Sequence, residues 1–263
     1  MSSKPVVLTI AGSDSSCGAG AQADLKTIGS LGCHGLTVIS CIVAETPGRV
    51  RSIQAARADI VRDQLEVLLA AYPVAAIKTG MLFSTPIIRV VAEVLGAMKK
   101  RPPLVIDPVM VASSGDPLLK PGSVAAYRSL LFPLATLLTP NLDELAILTG
   151  AMPKSLAGMR DAGKQLTAST GLSVLLKGGH LKGRTATDLL LMPDWQEYEY
   201  STPFVRGVET HGTGCTYSAA IAAGLAQGLP LPKAVGLAKK FITRAIIGSM
   251  KWGKVSALDQ VQR

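Results

Sequence analysis

Aromatic residues are scarce in this chain, since Phe, Trp and Tyr make up only 4% of its 263 residues. Small and aliphatic residues are plentiful instead, which suits close packing of helices on a sheet more than an all-β sandwich. The four cysteines show no Cys-x-x-Cys spacing and form no metal-ligand pattern with the three histidines. This spacing argues against a structural zinc site.

The chain also lacks a signal peptide and any apolar run long enough to cross a membrane. We therefore expect a cytoplasmic protein with reduced thiols and no membrane partner. The net charge is +9, but Lys and Arg are scattered, and residues 99–101 form the longest basic cluster. No basic stripe interleaved with aromatic residues is present, so we expect no nucleic-acid partner. A basic surface that attracts a small polyanion is the simpler interpretation.

Short apolar runs alternate with helical patterns along the sequence. Six runs are typical of buried strands, at residues 6–10, 36–42, 75–78, 104–107, 135–138 and 174–177. Such strands, separated by helices, predict a doubly wound α/β fold with a mostly parallel sheet and helices on both faces. Residues 186–191 and 196–200 resemble a hairpin and predict a short antiparallel margin. No linker or repeat interrupts the pattern, so we expect a single domain over residues 1–263.

In such a fold, ligands bind at the carboxyl ends of the parallel strands. Polar segments follow five of the predicted strands, at residues 12–14, 79–81, 107–108, 139–141 and 177–180. Five polar strand ends that open onto one crevice are more specific than any single motif. The sequence therefore predicts a binding site at this edge of the sheet.

The most informative segment is His211-Gly212-Thr213-Gly214-Cys215, which precedes a helical run of small residues. Two glycines permit a tight turn, and a turn at a helix N-terminus is suited to bind anionic oxygens. Cys215 lies just inside this helix, where the helix dipole favours a thiolate. A helix cap with an inert buried cysteine is the structural alternative.

The predicted crevice contains the parts that phosphoryl transfer requires. It has carboxylates at Asp24, Asp107 and Glu144, an amide at Asn141 and a cation at Lys177. Oxygen ligands can hold a metal ion, while cations and backbone N–H groups stabilise the phosphoryl group. Walker and protein-kinase motifs are both absent. If the protein is a kinase, it belongs to another lineage.

The combination and order of these motifs resemble the hydroxymethylpyrimidine/phosphomethylpyrimidine kinases of thiamine biosynthesis, in the ribokinase-like superfamily. The resemblance covers nearly the whole chain, and the Gly-Thr-Gly-Cys form is more specific than the superfamily's general Gly-Thr-Gly-Asp. The segments that carry it are Thr9-Ile10-Ala11-Gly12-Ser13-Asp14, Gly18-Ala19-Gly20, Gln22-Ala23-Asp24-Leu25-Lys26, Lys78-Thr79-Gly80-Met81-Leu82, Asp107-Pro108-Val109-Met110-Val111-Ala112, Leu138-Thr139-Pro140-Asn141 with Glu144, Lys177-Gly178-Gly179-His180 and His211-Gly212-Thr213-Gly214-Cys215.

The resemblance implies that ATP and Mg²⁺ are used to phosphorylate 4-amino-5-hydroxymethyl-2-methylpyrimidine, and then its monophosphate to the diphosphate. It assigns an anion hole to Gly212, Thr213 and Gly214, with Cys215 where the superfamily has an aspartate base. Lys177, Asn141 and Thr213 would contact the nucleotide, and Asp107 and Glu144 would organise magnesium. The pyrimidine pocket would be lined by Gly12, Asp24, Met81 and Val109. We expect a homodimer, and a requirement for a monovalent cation is left open.

Two positions depart from the family's pattern. Glu45 stands where the family usually has a glutamine that contacts the aminopyrimidine edge. An ionised carboxylate only accepts hydrogen bonds, so Glu45 would need a protonated ring, or it would pair with Arg49 or Arg51. Cys17 stands where glycine is common, and a positive φ there would be strained.

Three further interpretations stay open at this stage. A pyridoxal or pyridoxine kinase of the same superfamily is the alternative enzyme, and a non-catalytic pyrimidine sensor is an alternative from another class. Cys215 is a weak base, an anion-hole member or a packing residue. His211 contacts a phosphate or caps its loop, and residues 110–118 read as a lid over the site.

Overall fold

The computed structural model describes residues 3–111, 118–120, 122–179, 181, 183–208 and 211–262. The strands are β1 (Val6–Asp14), β2 (His34–Thr46), β3 (Arg49–Ala55), β4 (Val74–Thr79), β5 (Leu104–Ile106), β6 (Leu137–Leu138), β7 (Ser173–Lys177), β8 (Thr185–Leu191), β9 (Glu197–Pro203), β10 (Met250–Trp252) and β11 (Val255–Ala257). The helices are α1 (Gly20–Ser30), α2 (Ala58–Ala71), α3 (Thr85–Gly96), α4 (Ser123–Ala126), α5 (Leu142–Thr149), α6 (Leu156–Thr170), α7 (Thr213–Ala226) and α8 (Leu231–Ile247). After α4 the chain continues through a π-helical turn (Tyr127–Leu131) and a 3-10 turn (Phe132–Leu134).

Nine strands form the main sheet, in the order β3-β2-β1-β4-β5-β6-β7-β8-β9. The six strands β2, β1, β4, β5, β6 and β7 run parallel. On one edge β3 pairs antiparallel with β2; on the other, β8 pairs antiparallel with β7 and β9 with β8. The mostly parallel sheet and the β8–β9 margin confirm the predicted fold class. The separate β10–β11 hairpin was not predicted.

Alternate residues of each strand pack against different helices, as the two-residue period of a strand requires. In β1, Leu8 and Ile10 pack with the core under α2, α3, α5 and α6, whereas Val7 packs with the core under α1, α7 and α8. Helix α7 is buried at every position from Thr216 to Gly224. Its small side chains let it lie close to the sheet, which fixes the start of the helix at the carboxyl edge.

Strand β3 was missed because its sequence, Arg-Val-Arg-Ser-Ile-Gln-Ala, has no continuous apolar run. It is an edge strand with most side chains exposed, so burial imposes little pattern on it. Its antiparallel pairing with β2 places Glu45 opposite Val50, next to the hairpin turn. Among the residues the structure describes, no helix is long and apolar enough to cross a membrane.

Candidate active site

A cavity opens at the carboxyl ends of the parallel strands, where the sequence predicts a site. Most of the candidate residues line it, although they come from segments far apart in the chain. Those on its wall are Gly12, Glu45, Met81, Asp107, Val109, Asn141, Glu144, Lys177, Gly212, Thr213, Gly214 and Cys215. The candidate that does not line the cavity is Asp24.

The first turn of α7 forms a cradle for anionic oxygens. Gly212 precedes the helix with a φ of 81°, and a Cβ at this position would collide with the carbonyl oxygen of Gly18. A Cβ on Gly214 would stand 3.2 Å from Lys177 Nζ and 3.4 Å from Asp107 Oδ2. Gly212 therefore lets the helix N-terminus approach the loop before α1, and Gly214 lets it approach a lysine and a carboxylate. The N-terminus of a helix is the positive end of the helix dipole, which suits an anion such as phosphate.

Asp107 is the most strongly bonded carboxylate of the cavity wall, and it is only 1% exposed. Lys177 Nζ donates to its Oδ1 at 2.8 Å, and the hydroxyls of Thr139 and Ser218 donate to it at 3.2 Å each. Burial disfavours its charge, but Lys177 and Lys78 outweigh burial and hold the pKa of Asp107 below its usual range. The sequence analysis did not single out Thr139 or Ser218 as partners of this group.

Glu144 and Asn141 form a capping box at the start of α5. Each backbone N–H donates to the other residue's side chain at 2.9 Å, so the carboxylate of Glu144 is turned back toward the cavity edge. Burial and the negative charge of Asp107 raise the pKa of Glu144 to about 8, against the opposing charge of Lys177. Two neighbouring carboxylates beside the phosphate cradle are a donor set that fits a hard divalent cation.

Cys215 differs from the sequence expectation in its ionisation. Burial raises the pKa of its thiol to about 12, although the nearby Lys78 charge favours the thiolate, and Asp24 and Asp107 disfavour it. The helix dipole acts locally, whereas burial, together with the surrounding carboxylates, dominates the ionisation of this thiol. Cys215 is therefore a neutral thiol on the cavity wall.

Asp24 lies behind the cavity wall, which corrects its predicted place in the pyrimidine pocket. Its carboxylate accepts two hydrogen bonds from Lys78 Nζ, at 2.7 and 2.9 Å, and one from the Thr9 hydroxyl at 2.5 Å. All three residues are fully buried. Asp24 and Lys78 thus form a buried ion pair beneath the site, not a contact surface for a ligand.

The opposite wall of the cavity is apolar. Met81 and Leu118 pack with Cys41 and Val43, and Val109 packs against this group from the side. Such a wall suits the face of a flat heteroaromatic ring. Residues 112–117 of the predicted lid and His180 lie outside the described residues.

Asp14 organises the loop between β1 and α1. It accepts hydrogen bonds from the backbone N–H groups of Ser16, Gly18 and Ala19 at 2.7 to 3.1 Å. His211 Nε2 lies 2.9 Å from the same carboxylate, which favours the loop-fixing role over a phosphate contact. Within this loop Cys17 has a φ of 57°, so the position does require a positive φ and its Cβ is strained there.

A second cavity adjoins the first. The two share Asn141, Lys177, Thr213 and Gly214 on their walls, so they meet at the phosphate cradle. The far end of the second cavity is apolar and is lined by Phe204, Val205, Ile242 and Ile246. Two cavities joined at a helix N-terminus have the arrangement that a phosphoryl donor and an acceptor require. Together with the doubly wound sheet, this arrangement defines a small-molecule kinase of the ribokinase-like type.

Comparison with known proteins identifies the family of kinases to which the chain belongs. The phosphomethylpyrimidine kinase family model matches residues 14–258. A hydroxymethylpyrimidine/phosphomethylpyrimidine kinase from Rhizobium meliloti is 45% identical over 245 residues, which cover 92% of this chain and 90% of that protein. A thiamine biosynthesis bifunctional protein from Geobacter sulfurreducens is 43% identical over 240 residues, and the match spans 91% of this chain and 49% of that protein. The chain belongs to the phosphomethylpyrimidine kinase family.

Solved structures show the same fold. An ADP complex of Bacillus subtilis pyridoxal kinase superposes with a TM-score of 0.89 at 38% identity, covering 97% of both chains. A phosphomethylpyrimidine kinase from Clostridium difficile superposes with a TM-score of 0.81, also at 38% identity, covering 92% of this chain and all of that one. The comparisons therefore confirm the predicted family and fold, and both pyrimidine and pyridoxal kinases are among the similar structures.

Proposed function

We propose that the protein transfers the γ-phosphoryl group of ATP to the hydroxyl of 4-amino-5-hydroxymethyl-2-methylpyrimidine, and then to the resulting monophosphate. The observation that carries this proposal is the meeting of two cavities at Lys177 and the first turn of α7. The acceptor would occupy the cavity with the apolar wall, and the nucleotide the other. Family membership supports the choice of acceptor.

Each group of the site has a part in this reaction. Lys177, held by Asp107 at 2.8 Å, would stabilise charge on the transferred group, and Gly212, Thr213 and Gly214 would bind its oxygens. Gly12, Met81 and Val109 would hold the ring so that its hydroxyl faces the cradle. As a neutral thiol, Cys215 would position that hydroxyl, because a dissociative transition state asks little of a base.

Magnesium would be held by Asp107 and Glu144, partly through water, with Asn141 beside them. The raised pKa of Glu144 supports this assignment, because a divalent cation would relieve the repulsion between the two carboxylates. When bound, the ion would neutralise negative charge on the nucleotide phosphates.

Pyridoxal phosphorylation is the second candidate, and the similarity to the B. subtilis pyridoxal kinase favours it. The test is an assay of the purified protein with ATP and Mg²⁺ on hydroxymethylpyrimidine, its monophosphate and the three B6 vitamers. We expect the highest kcat/KM for the pyrimidines, and a loss of turnover in Lys177→Ala on every acceptor. A higher kcat/KM for a B6 vitamer would transfer the proposal to the second candidate.

A further inference from the structure

Glu45 has a fixed position at the edge of the acceptor cavity. The Ser15 hydroxyl donates to the carbonyl oxygen of Glu45 at 2.8 Å and accepts from its N–H at 2.9 Å. These two hydrogen bonds to the loop after β1 anchor the tip of the β2–β3 hairpin. The Glu45 carboxyl thus reaches the cavity that also contains Gly12 and Met81.

The carboxyl of Glu45 is part of a three-residue cluster. One oxygen of Glu45, one of Asp14 and one ring nitrogen of His211 lie within 4.8 Å of one another. Although these groups could in principle bind a metal, both oxygens of Asp14 already accept hydrogen bonds from the loop. Asp14 is therefore committed to the fold, and Glu45 is the member whose carboxyl is available to a ligand.

The surroundings shift the pKa values of Glu45 and Asp14 in opposite directions. Burial opposes ionisation of Asp14, but His211, Ser16 and Ala19 hydrogen-bond to the carboxylate and hold its pKa below the usual range. Burial and the negative charge of Asp14 raise the pKa of Glu45 to about 7, against a smaller opposing effect of His211.

The other charged and titratable groups around Glu45 do not change which of the two carboxyls has the higher pKa. Arg49 of β3 lines the same cavity as Glu45, and Arg51 lines the neighbouring surface. No salt bridge joins either of them to Glu45, although the structure describes all three side chains. Cys41 of β2 stays a neutral thiol, because burial raises its pKa to about 11. The ion pair with Arg49 or Arg51 that the sequence left open is therefore not formed.

We propose that Glu45 binds the edge of the acceptor ring as a neutral carboxylic acid, which donates one hydrogen bond and accepts another. A neutral carboxyl has one O–H donor and one carbonyl acceptor on the same side chain. This pair is complementary to a ring nitrogen next to an exocyclic amine, where the nitrogen accepts and the amine donates. An ionised carboxylate would present two acceptors and would repel the unprotonated ring nitrogen.

This inference rests on the proposed function and specifies its acceptor: an aminopyrimidine type of ring edge. A pyridine whose ring nitrogen has no amine beside it can accept the hydrogen bond from the O–H but has no donor for the carbonyl oxygen of Glu45. The neutral form of Glu45 is present below its pKa and is lost as the pH rises, so affinity for the ring falls above about pH 7.

The test measures the Kd of 4-amino-5-hydroxymethyl-2-methylpyrimidine from pH 6 to pH 9 for three proteins. In the wild type we expect Kd to rise by about tenfold per pH unit above the pKa of Glu45. Glu45→Gln keeps a donor and an acceptor at every pH, so its Kd should stay flat. Glu66→Gln makes the same charge change at an exposed position of α2 and should behave as the wild type.

A spectroscopic readout locates the proton. The infrared spectrum of the wild-type complex minus that of the Glu45→Gln complex should contain the carbonyl band of a protonated carboxyl. Glu144, whose pKa burial also raises, contributes to both complexes and cancels. The ultraviolet spectrum of the bound pyrimidine should be that of the neutral ring. A protonated-ring spectrum would overturn the proposal even if Glu45→Gln did not fold, and a difference spectrum without the carboxyl band would overturn it where the variant folds.

The failure of this inference differs from a failure of the proposed function. Turnover of the pyrimidine with a pH-independent wild-type Kd, or with equal slopes in wild type and Glu45→Gln, overturns the role of Glu45 alone. Absence of pyrimidine binding and turnover at every pH, in a protein that still binds ATP, overturns both.

Discussion

The buried pair of Lys78 and Asp24 allows a quantitative test of how the base of the site is held together. We consider Lys78→Met, which keeps an unbranched apolar side chain but removes the ammonium group. Both partners are fully buried, and Asp24 would keep only the hydroxyl of Thr9 as a charge-stabilising neighbour. Removing one member of a buried ion pair costs about 3–5 kcal/mol, because the other charge is left uncompensated.

The double variant Lys78→Met/Asp24→Asn separates charge from packing. It removes both charges of the pair, and the amide oxygen can still accept from Thr9. We therefore expect it to be more stable than Lys78→Met alone and within about 2 kcal/mol of the wild type. Lys240→Met, at an exposed position of α8, is the matched control and should change stability by less than about 0.5 kcal/mol.

Urea unfolding at pH 7 measures these differences as changes in the free energy of unfolding. In thermal unfolding, the loss predicted for Lys78→Met corresponds to about 6–20 °C, from roughly 2–4 °C per kcal/mol in a chain of this size. A loss of less than about 1 kcal/mol of unfolding free energy in Lys78→Met would contradict a buried ion pair of this strength. So would a double variant that is no more stable than Lys78→Met.

Three further predictions concern catalysis. Lys177→Ala should weaken nucleotide binding by about 10- to 100-fold, the loss of a charged hydrogen bond, with a smaller effect on the pyrimidine; calorimetric titration with each ligand tests this, and a loss of pyrimidine affinity alone would contradict it. Cys215→Ala should lower kcat by about 10²–10³-fold with little change in KM, and near-wild-type steady-state kinetics would reduce Cys215 to a packing residue. Glu144→Gln should raise the Mg²⁺ concentration needed for half-maximal activity while unfolding like the wild type, because its amide oxygen can still accept from Asn141; an unchanged Mg²⁺ titration would remove Glu144 from the metal site.

The sequence predicted the parallel core and the edge at which the site lies, because those features follow from local patterns. Lys177 and Asn141 each lie at or just after the end of an apolar run, and parallel strands bring such ends to the same edge of the sheet. The glycines of the α7 cradle could also be predicted, since a tight turn before a helix requires them. These inferences needed no knowledge of distant contacts.

Other features depend on contacts that no local pattern contains. Lys78 looks like an ordinary lysine at a strand end, and its partner Asp24 lies 54 residues earlier in the chain. The pKa of Cys215 was predicted with the wrong sign, because the helix dipole is local while burial and neighbouring carboxylates come from the tertiary fold. Asp14 and His211 are likewise 197 residues apart, so their pairing was not predictable.

Helix α7 and the β2–β3 hairpin give the two halves of the reaction very different surroundings. The phosphate cradle begins the most enclosed helix of the fold, with nine consecutive buried residues from Thr216 to Gly224, so almost any change near it disturbs the core. The side chain that we propose to contact the acceptor ring, Glu45, lies near the end of β2 beside the exposed edge strand β3, outside both large hydrophobic cores. Acceptor preference can therefore diverge during evolution while the phosphoryl-transfer machinery is retained, which accounts for pyridoxal and pyrimidine kinases of one architecture.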